Sequence, residues 1–194
     1  KRYIHIGSSD EYGSKPSPQI ETLREDPCTA YAYSKVAATH FLQMAHTSCA
    51  FPVTIIRPFL LYGPGISKDR FLGHLIDSLL AGREVKLSPG LQVRDFLHVH
   101  DFFALVLEVL TSDSSSGLIL NAGSGSPVTI RDVALKVHSF INTGTLLFGS
   151  LPYRSNENLS LFPSMDRVFS LLKWRPKITL HSGLSDLVAS FRNA

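Results

Sequence analysis

The chain has little of what marks a metal, disulfide, membrane or nucleic-acid protein. Its 194 residues include only two cysteines, Cys28 and Cys49. They form neither a metal-binding spacing nor a disulfide framework, so no metal site is expected, and two free thiols in a reducing cytoplasm are the plain reading. No stretch approaches the roughly 18 consecutive apolar residues of a membrane span, and no signal peptide opens the chain. Charge of one sign is scarce: 19 Lys and Arg against 16 Asp and Glu give a net charge of +3, with the basic residues scattered. Without a basic stripe a nucleic-acid partner is excluded, whereas a few scattered cations suit one small anionic molecule. An amino-terminal Met is also lacking, and a strand opens almost at once, which reads as a fragment or a processed product. The remainder is globular, with 44% hydrophobic and 18% charged residues in a length that fits one domain with a small appended lobe.

The apolar run Tyr3-Ile4-His5-Ile6, ended by Gly7 and Ser8, predicts a strand feeding a loop. Residues 14–29 carry Pro16, Pro18 and Pro27 and should be irregular. Thr29 is the expected N-cap of a helix to about His46, with Val36, Thr39, His40, Gln43 and Met44 partly buried. Val53 to Arg57 is continuously apolar before its last residue, as expected of a parallel strand covered on both faces. A helix is predicted over about 69–81, short strands over 85–87 and 93–99, a helix over 101–110 and a strand over 118–121. Thr129 with Asp132 resembles a capping box, residues 146–148 read as a strand, and short helices are expected near 164–172 and 181–192. Strands alternating with helices argue for an α/β sheet. No glycine-rich dinucleotide turn follows an early strand; Gly123-Ser124-Gly125 comes late and is followed too closely by Pro127. His98 and His100, two apart on a predicted strand, lack a third metal ligand, and His5 reads as a packed core or edge residue.

One spacing carries chemistry. In Tyr31-Ala32-Tyr33-Ser34-Lys35 the tyrosine and the lysine stand at i and i+4, on the same helical face. A neighbouring ammonium favours phenolate over phenol, which is how a tyrosine exchanges protons near neutral pH. Ser8, delivered from a strand end, can steady the hydroxyl or carbonyl being transformed. Alone the spacing is weak, since a lysine snorkelling past a buried aromatic also produces it; the upstream Gly7-Ser8-Ser9 and the downstream Arg57-Pro58-Phe59 give it context.

With these stand Gly7 to Gly13, Arg57 to Gly65, Arg94-Asp95-Phe96-Leu97-His98-Val99-His100-Asp101 and Asn121 to Gly125. In order, they resemble the successive signatures of the extended short-chain dehydrogenase/reductases, the NAD-dependent epimerase/dehydratase family of nucleotide-sugar epimerases, dehydratases and 4-ketoreductases. The resemblance is to the carboxy-terminal part only. The fold class it implies is α/β: the second half of a Rossmann-type parallel sheet with a smaller α/β substrate-binding lobe. Residues 1–65 and 99–144 would form the remainder of the Rossmann-type domain, and 66–98 with 145–194 the interleaved lobe.

The resemblance implies that Tyr31 is the general acid/base, that Lys35 tunes it and holds the nicotinamide ribose, and that Ser8 binds the reacting sugar oxygen. Pro58, Phe59 and Leu60 would line the nicotinamide end of NAD or NADP. Ser9 and Asp10 would face the sugar, and Arg94 and Arg154 the nucleotide diphosphate, for which a planar guanidinium fork is suited; Arg94 could instead pair with Asp95 or Asp101. Phe71 flanks the nucleotide or belongs to the core. Asp10 is one methylene shorter than the glutamate usual in dehydratases, and Leu60 replaces a common phosphate-binding asparagine. Epimerisation or 4-keto reduction at sugar C4 is therefore favoured over 4,6-dehydration, with a non-catalytic fragment as the remaining alternative. Pairing of two copies through the Tyr31 helix is the partner arrangement that the resemblance suggests.

Overall fold

The computed structural model describes residues 2–155 and 157–193. In chain order its elements are β1 (Tyr3–Ile6), a 3-10 turn (Ser9–Tyr12), α1 (Ala30–Cys49), β2 (Val53–Pro58), β3 (Leu60–Tyr62) and α2 (Phe71–Leu80). There follow β4 (Glu84–Leu87), β5 (Val93–Arg94), β6 (Phe96–His98), α3 (Val99–Thr111), a second 3-10 turn (Asp113–Ser115), β7 (Ile119–Ala122) and β8 (Val128–Thr129). The chain continues through α4 (Ile130–Ile141), β9 (Thr145–Phe148), β10 (Ser160–Leu161), α5 (Asp166–Leu171) and α6 (Leu180–Arg192).

The central sheet runs β1-β2-β7, all parallel, with Tyr3 opposite Val53 and Ile55 opposite Ile119. Parallel neighbours need a crossover, and α1 supplies it between β1 and β2. Val53 to Arg57 are all buried, whereas Tyr3 and Ile6 at the two ends of β1 are exposed, as befits an edge strand. Helix α1 begins where Thr29 accepts the Ala32 N–H at 3.0 Å. Along α1, Thr39 is buried but His40 and Met44 are exposed, against the expectation for those two.

The sequence predicts only the second half of a Rossmann-type sheet, and the structure corrects this. Strands β1, β2 and β7 pair in register as a Rossmann-type parallel sheet in their own right, with a smaller α/β lobe packed beside it. The prediction leaned on a missing glycine-rich turn. Such a turn governs how closely backbone approaches a pyrophosphate and says nothing about which strands pair.

Two large apolar clusters hold the molecule, with a small third of Val53, Ile55 and Ile119 against Leu42 of α1. In one, Ile56 and Leu120 of the sheet meet Phe102, Leu105 and Val109 of α3, with Val168 and Trp174 closing the end. In the other, Leu72, Leu75, Ile76 and Leu79 of α2 meet Val133 and Val137 of α4 and Leu184 and Leu187 of α6. The strand predicted over 93–99 is broken at Asp95 into β5 and β6. Asp95 is buried, and its carboxylate leaves the ladder to accept the N–H groups of Ser124 and Gly125. His98 and His100 do not share a strand either: the His98 Nδ1 accepts the His100 N–H at 3.2 Å and caps α3.

Candidate active site

A cleft of about 1200 Å³ opens where the carboxyl ends of β1 and β2 meet the lobe. Parallel sheets place their loops at this edge, so residues distant in sequence gather there. From the first strand end it is lined by Ser8, Ser9 and Asp10, and from α1 by Tyr31 and Lys35. Pro58, Phe59 and Leu60 supply the wall after β2, and Phe71, Arg94 and Arg154 stand on the lobe side. Every site residue predicted from sequence thus borders one cavity. A smaller hollow of about 460 Å³, lined among others by Glu21, Glu25, His40 and Arg167, contains none of them.

On the sheet side, Ser8 has extended backbone (φ −156°, ψ 147°) and caps the 3-10 turn. Its Oγ accepts the Asp10 N–H at 3.1 Å while the Glu11 carboxylate reaches back to the Ser8 N–H at 2.9 Å. This is a reciprocal capping box, and it leaves the Ser8 hydroxyl proton available to a ligand. The Lys35 Nζ donates to the Ile6 carbonyl at 2.9 Å and lies 5.7 Å from the centre of the Tyr31 ring. Tyr31 is 54% exposed. Tyr12 and Tyr62 are unlike it: both are buried, and burial pushes the Tyr12 phenol up to about 12 and the Tyr62 phenol well above its ordinary value. Among these three, Tyr31 is the phenol open to proton exchange with a ligand.

On the lobe side, Arg94 is almost wholly buried; burial works against its charge, and Glu157 partly offsets this. One arm of its guanidinium holds the Val93 carbonyl at 2.8 Å and the other holds Glu157. Neither Asp95 nor Asp101, the partners considered from sequence, takes it. Arg154 is exposed on the loop before β10. Phe71 lines the cleft and also packs against the α2-α4-α6 cluster. Asp95, one residue on from Arg94, is pushed above the usual carboxylate range by burial, against the opposing pull of the Ser124 and Gly125 N–H groups. Those bonds also dispose of Gly123-Ser124-Gly125 as a phosphate loop, because its amides are committed to Asp95.

Several functional neighbours escaped sequence reasoning. Glu11, which does not line the cleft, is fully buried directly beneath Ser8. Its place three residues after Ser8 is the capping-box spacing, a signal present in the sequence. Glu157, Tyr153 and Gln92 border the cleft and had no local signature.

A family model described as "NAD dependent epimerase/dehydratase family" matches residues 1–123. The chain is 27% identical over 199 residues to dTDP-D-glucose 4,6-dehydratase of Mus musculus, an alignment covering 99% of this chain and 56% of that protein. It is 27% identical over 207 residues to GDP-6-deoxy-D-mannose reductase of Pseudomonas aeruginosa, covering 98% and 66% respectively. The solved structure of UDP-glucuronic acid 4-epimerase from Bacillus cereus, in complex with UDP-glucuronic acid and NAD, superposes with a TM-score of 0.90 at 24% identity, over 99% of this chain and 62% of that one. The chain thus spans 56% to 66% of the length of these proteins. The expectation of a carboxy-terminal part alone is corrected: the family match begins at residue 1, and the superposition takes in the parallel sheet and the lobe together. The ordered motifs, the sheet with its lobe and the family match agree, and the chain belongs to the NAD-dependent epimerase/dehydratase family.

Proposed function

We propose that the chain works as an NAD(P)-dependent oxidoreductase of nucleotide-diphosphate sugars, an epimerase or 4-keto-sugar reductase acting at sugar C4. The observation that carries this reading is the meeting of Ser8, Tyr31 and Lys35 on one wall of a cleft whose other wall bears Arg94 and Arg154. The first group moves protons and the second neutralises phosphate.

The Ser8 end of the cleft fits a nicotinamide group. Among the described residues Lys35 gives one of its three donors to the Ile6 carbonyl, which leaves others for ribose hydroxyls. Pro58, Phe59 and Leu60 form a largely apolar wall that excludes water from a ring lying against them. NAD or NADP held by Tyr31, Lys35, Pro58, Phe59 and Leu60 would supply or accept a hydride at the sugar carbon. Tyr31 takes the C4 hydroxyl proton as that carbon is oxidised and returns one as it is reduced. Lys35 places a positive charge beside the phenol. Ser8, with a lone pair already committed to Asp10, donates its proton to the sugar oxygen and holds it in line. Ser9 and Asp10 contact the sugar, Phe71 flanks the nucleotide, and Arg94 with Arg154 grips the diphosphate.

The same reading assigns residues 1–65 and 99–144 to the cofactor side and 66–98 with 145–194 to the sugar side. It also includes pairing of two copies through α1, where Tyr33, Phe41 and Met44 are 67%, 63% and 51% exposed on one face, and a cytoplasmic setting, in keeping with exposed free Cys28 and Cys49. No helix among the described residues is long and apolar enough to cross a membrane.

Dehydration is the second reading, supported by the Asp10 carboxylate at the cleft and by 4,6-dehydratases among the relatives. Product analysis separates the two, since dehydration alone yields a 6-deoxy-4-keto sugar. Replacing Tyr31 by Phe should lower turnover by about 10²–10⁴-fold and leave nucleotide-sugar binding nearly intact. Turnover that survives Tyr31→Phe removes the phenol from the mechanism.

A further inference from the structure

We propose that Glu11 is a positioning residue that fixes Ser8 against the stripe of α1 bearing Tyr31 and Lys35, with Arg57 as its buried counter-charge. The inference rests on the role given to Ser8 above.

Glu11 is fully buried, so its carboxylate is no cleft group and cannot touch substrate. It is nonetheless bonded to every element that shapes the catalytic wall. Oε1 accepts the Ser8 N–H at 2.9 Å, and Oε2 accepts the Thr39 hydroxyl at 2.8 Å and the Arg57 Nη2 at 2.7 Å. Ser8 follows β1, Thr39 lies on α1, and Arg57 stands on β2 immediately before Pro58. Tyr31, Lys35 and Thr39 are successive i, i+4 positions, one stripe along the helix. The Thr39 bond therefore fixes the stripe that carries Tyr31 against the loop that carries Ser8.

Cohesion alone does not require this device. A buried ion pair stabilises no better than apolar residues of similar volume in many proteins, and an apolar residue at position 11 would avoid the desolvation cost. What it could not do is accept the Ser8 N–H. Arg57 is tuned to the same end: a single nitrogen, Nη2, serves Glu11 and Glu25, both at 2.7 Å, while its plane lies over the Tyr12 ring at 4.6 Å. The guanidinium thereby holds the Glu11 carboxylate aimed at the Ser8 amide.

Amide hydrogen exchange on the full chain without added ligand reads Ser8 directly. In Glu11→Gln, exchange at Ser8 should quicken about tenfold while Leu75 and Val137, in the far cluster, keep their wild-type rates. Because Glu11→Gln strands part of the Arg57 charge and can prevent folding, Thr39→Val is the second variant. It cuts the tie to α1 without exposing a charge, and should quicken Ser8 exchange about threefold with the fold retained. Unchanged Ser8 exchange in a folded variant, or exchange that rises only in step with Leu75 and Val137, overturns the proposal. In hydride-transfer assays a lower kcat at constant KM supports it, and a kcat that holds while Ser8 is loosened overturns it. A wild-type chain without turnover counts against the functional reading alone, since the exchange measurement needs neither substrate nor cofactor.

Discussion

Gly7 shows how tightly single residues are constrained beside Ser8. A methyl group on its Cα would overlap the Glu11 Oε1 and press on the Arg57 Cγ at 3.3 Å. Neither neighbour can yield easily, because each is buried and held by the other. Gly7→Ala should therefore cost about 1–3 kcal/mol in chemical denaturation, as overpacking in a filled interior does. A cost near zero would mean that the Glu11 carboxylate moves freely. Ser8, Tyr31, Lys35 and Pro58 to Leu60, which line the cleft, stood out in the sequence because they sit in short motifs at strand ends or at helical i, i+4 spacing. The residues behind them did not. Thr39 and Arg57 lie 28 and 46 positions from Glu11, and Glu157 lies 63 from Arg94. Such pairings exist only after the chain has crossed over, and no local pattern encodes them.

At the level of elements, the helix caps behaved as sequence suggests, and the junction at Asp95 did not. Thr29 and Thr129 both cap as expected, the latter accepting the Asp132 N–H at 3.0 Å. The strand over 93–99 failed as a unit because a side-chain acceptor drew the backbone aside, an interaction a β-propensity cannot register. His98, at the head of α3, makes the capping titratable. Its Nδ1 must be unprotonated to accept the His100 N–H. Burial, then the nearby charge of His100, hold its pKa below the ordinary imidazole value of 6.5, against the opposing pull of Asp101 and Asp186. A folded value below the unfolded one means that the stability from neutral His98 is complete above pH 6.5 and drains away as pH falls through the folded value. The wild-type Tm should accordingly drop on mild acidification, and His98→Asn, which caps without titrating, should flatten that part of the curve. An identical slope in both proteins would place the acid sensitivity elsewhere.

Over the whole molecule, the two clusters divide the labour. One packs α3 on the central sheet, while the other packs α2, α4 and α6 together on the lobe side of the cleft. Leu184, fully buried where α6 meets α2 and α4, is central to the second. Leu184→Ala should cost about 2–5 kcal/mol in urea unfolding through the cavity it leaves. A loss well under this range would indicate that the helices collapse to fill the space. The alternation of strands and helices made the α/β class legible in advance, but not that the strands would form a Rossmann-type sheet unaided by a glycine-rich turn. Asp95 ties the lobe side of the cleft to the end of the sheet. Arg94 looks into the cleft, and the very next side chain grips the amides of Ser124 and Gly125 at the end of the sheet. The backbone that carries Arg94 is thereby tied, within one residue, to the loop that follows β7.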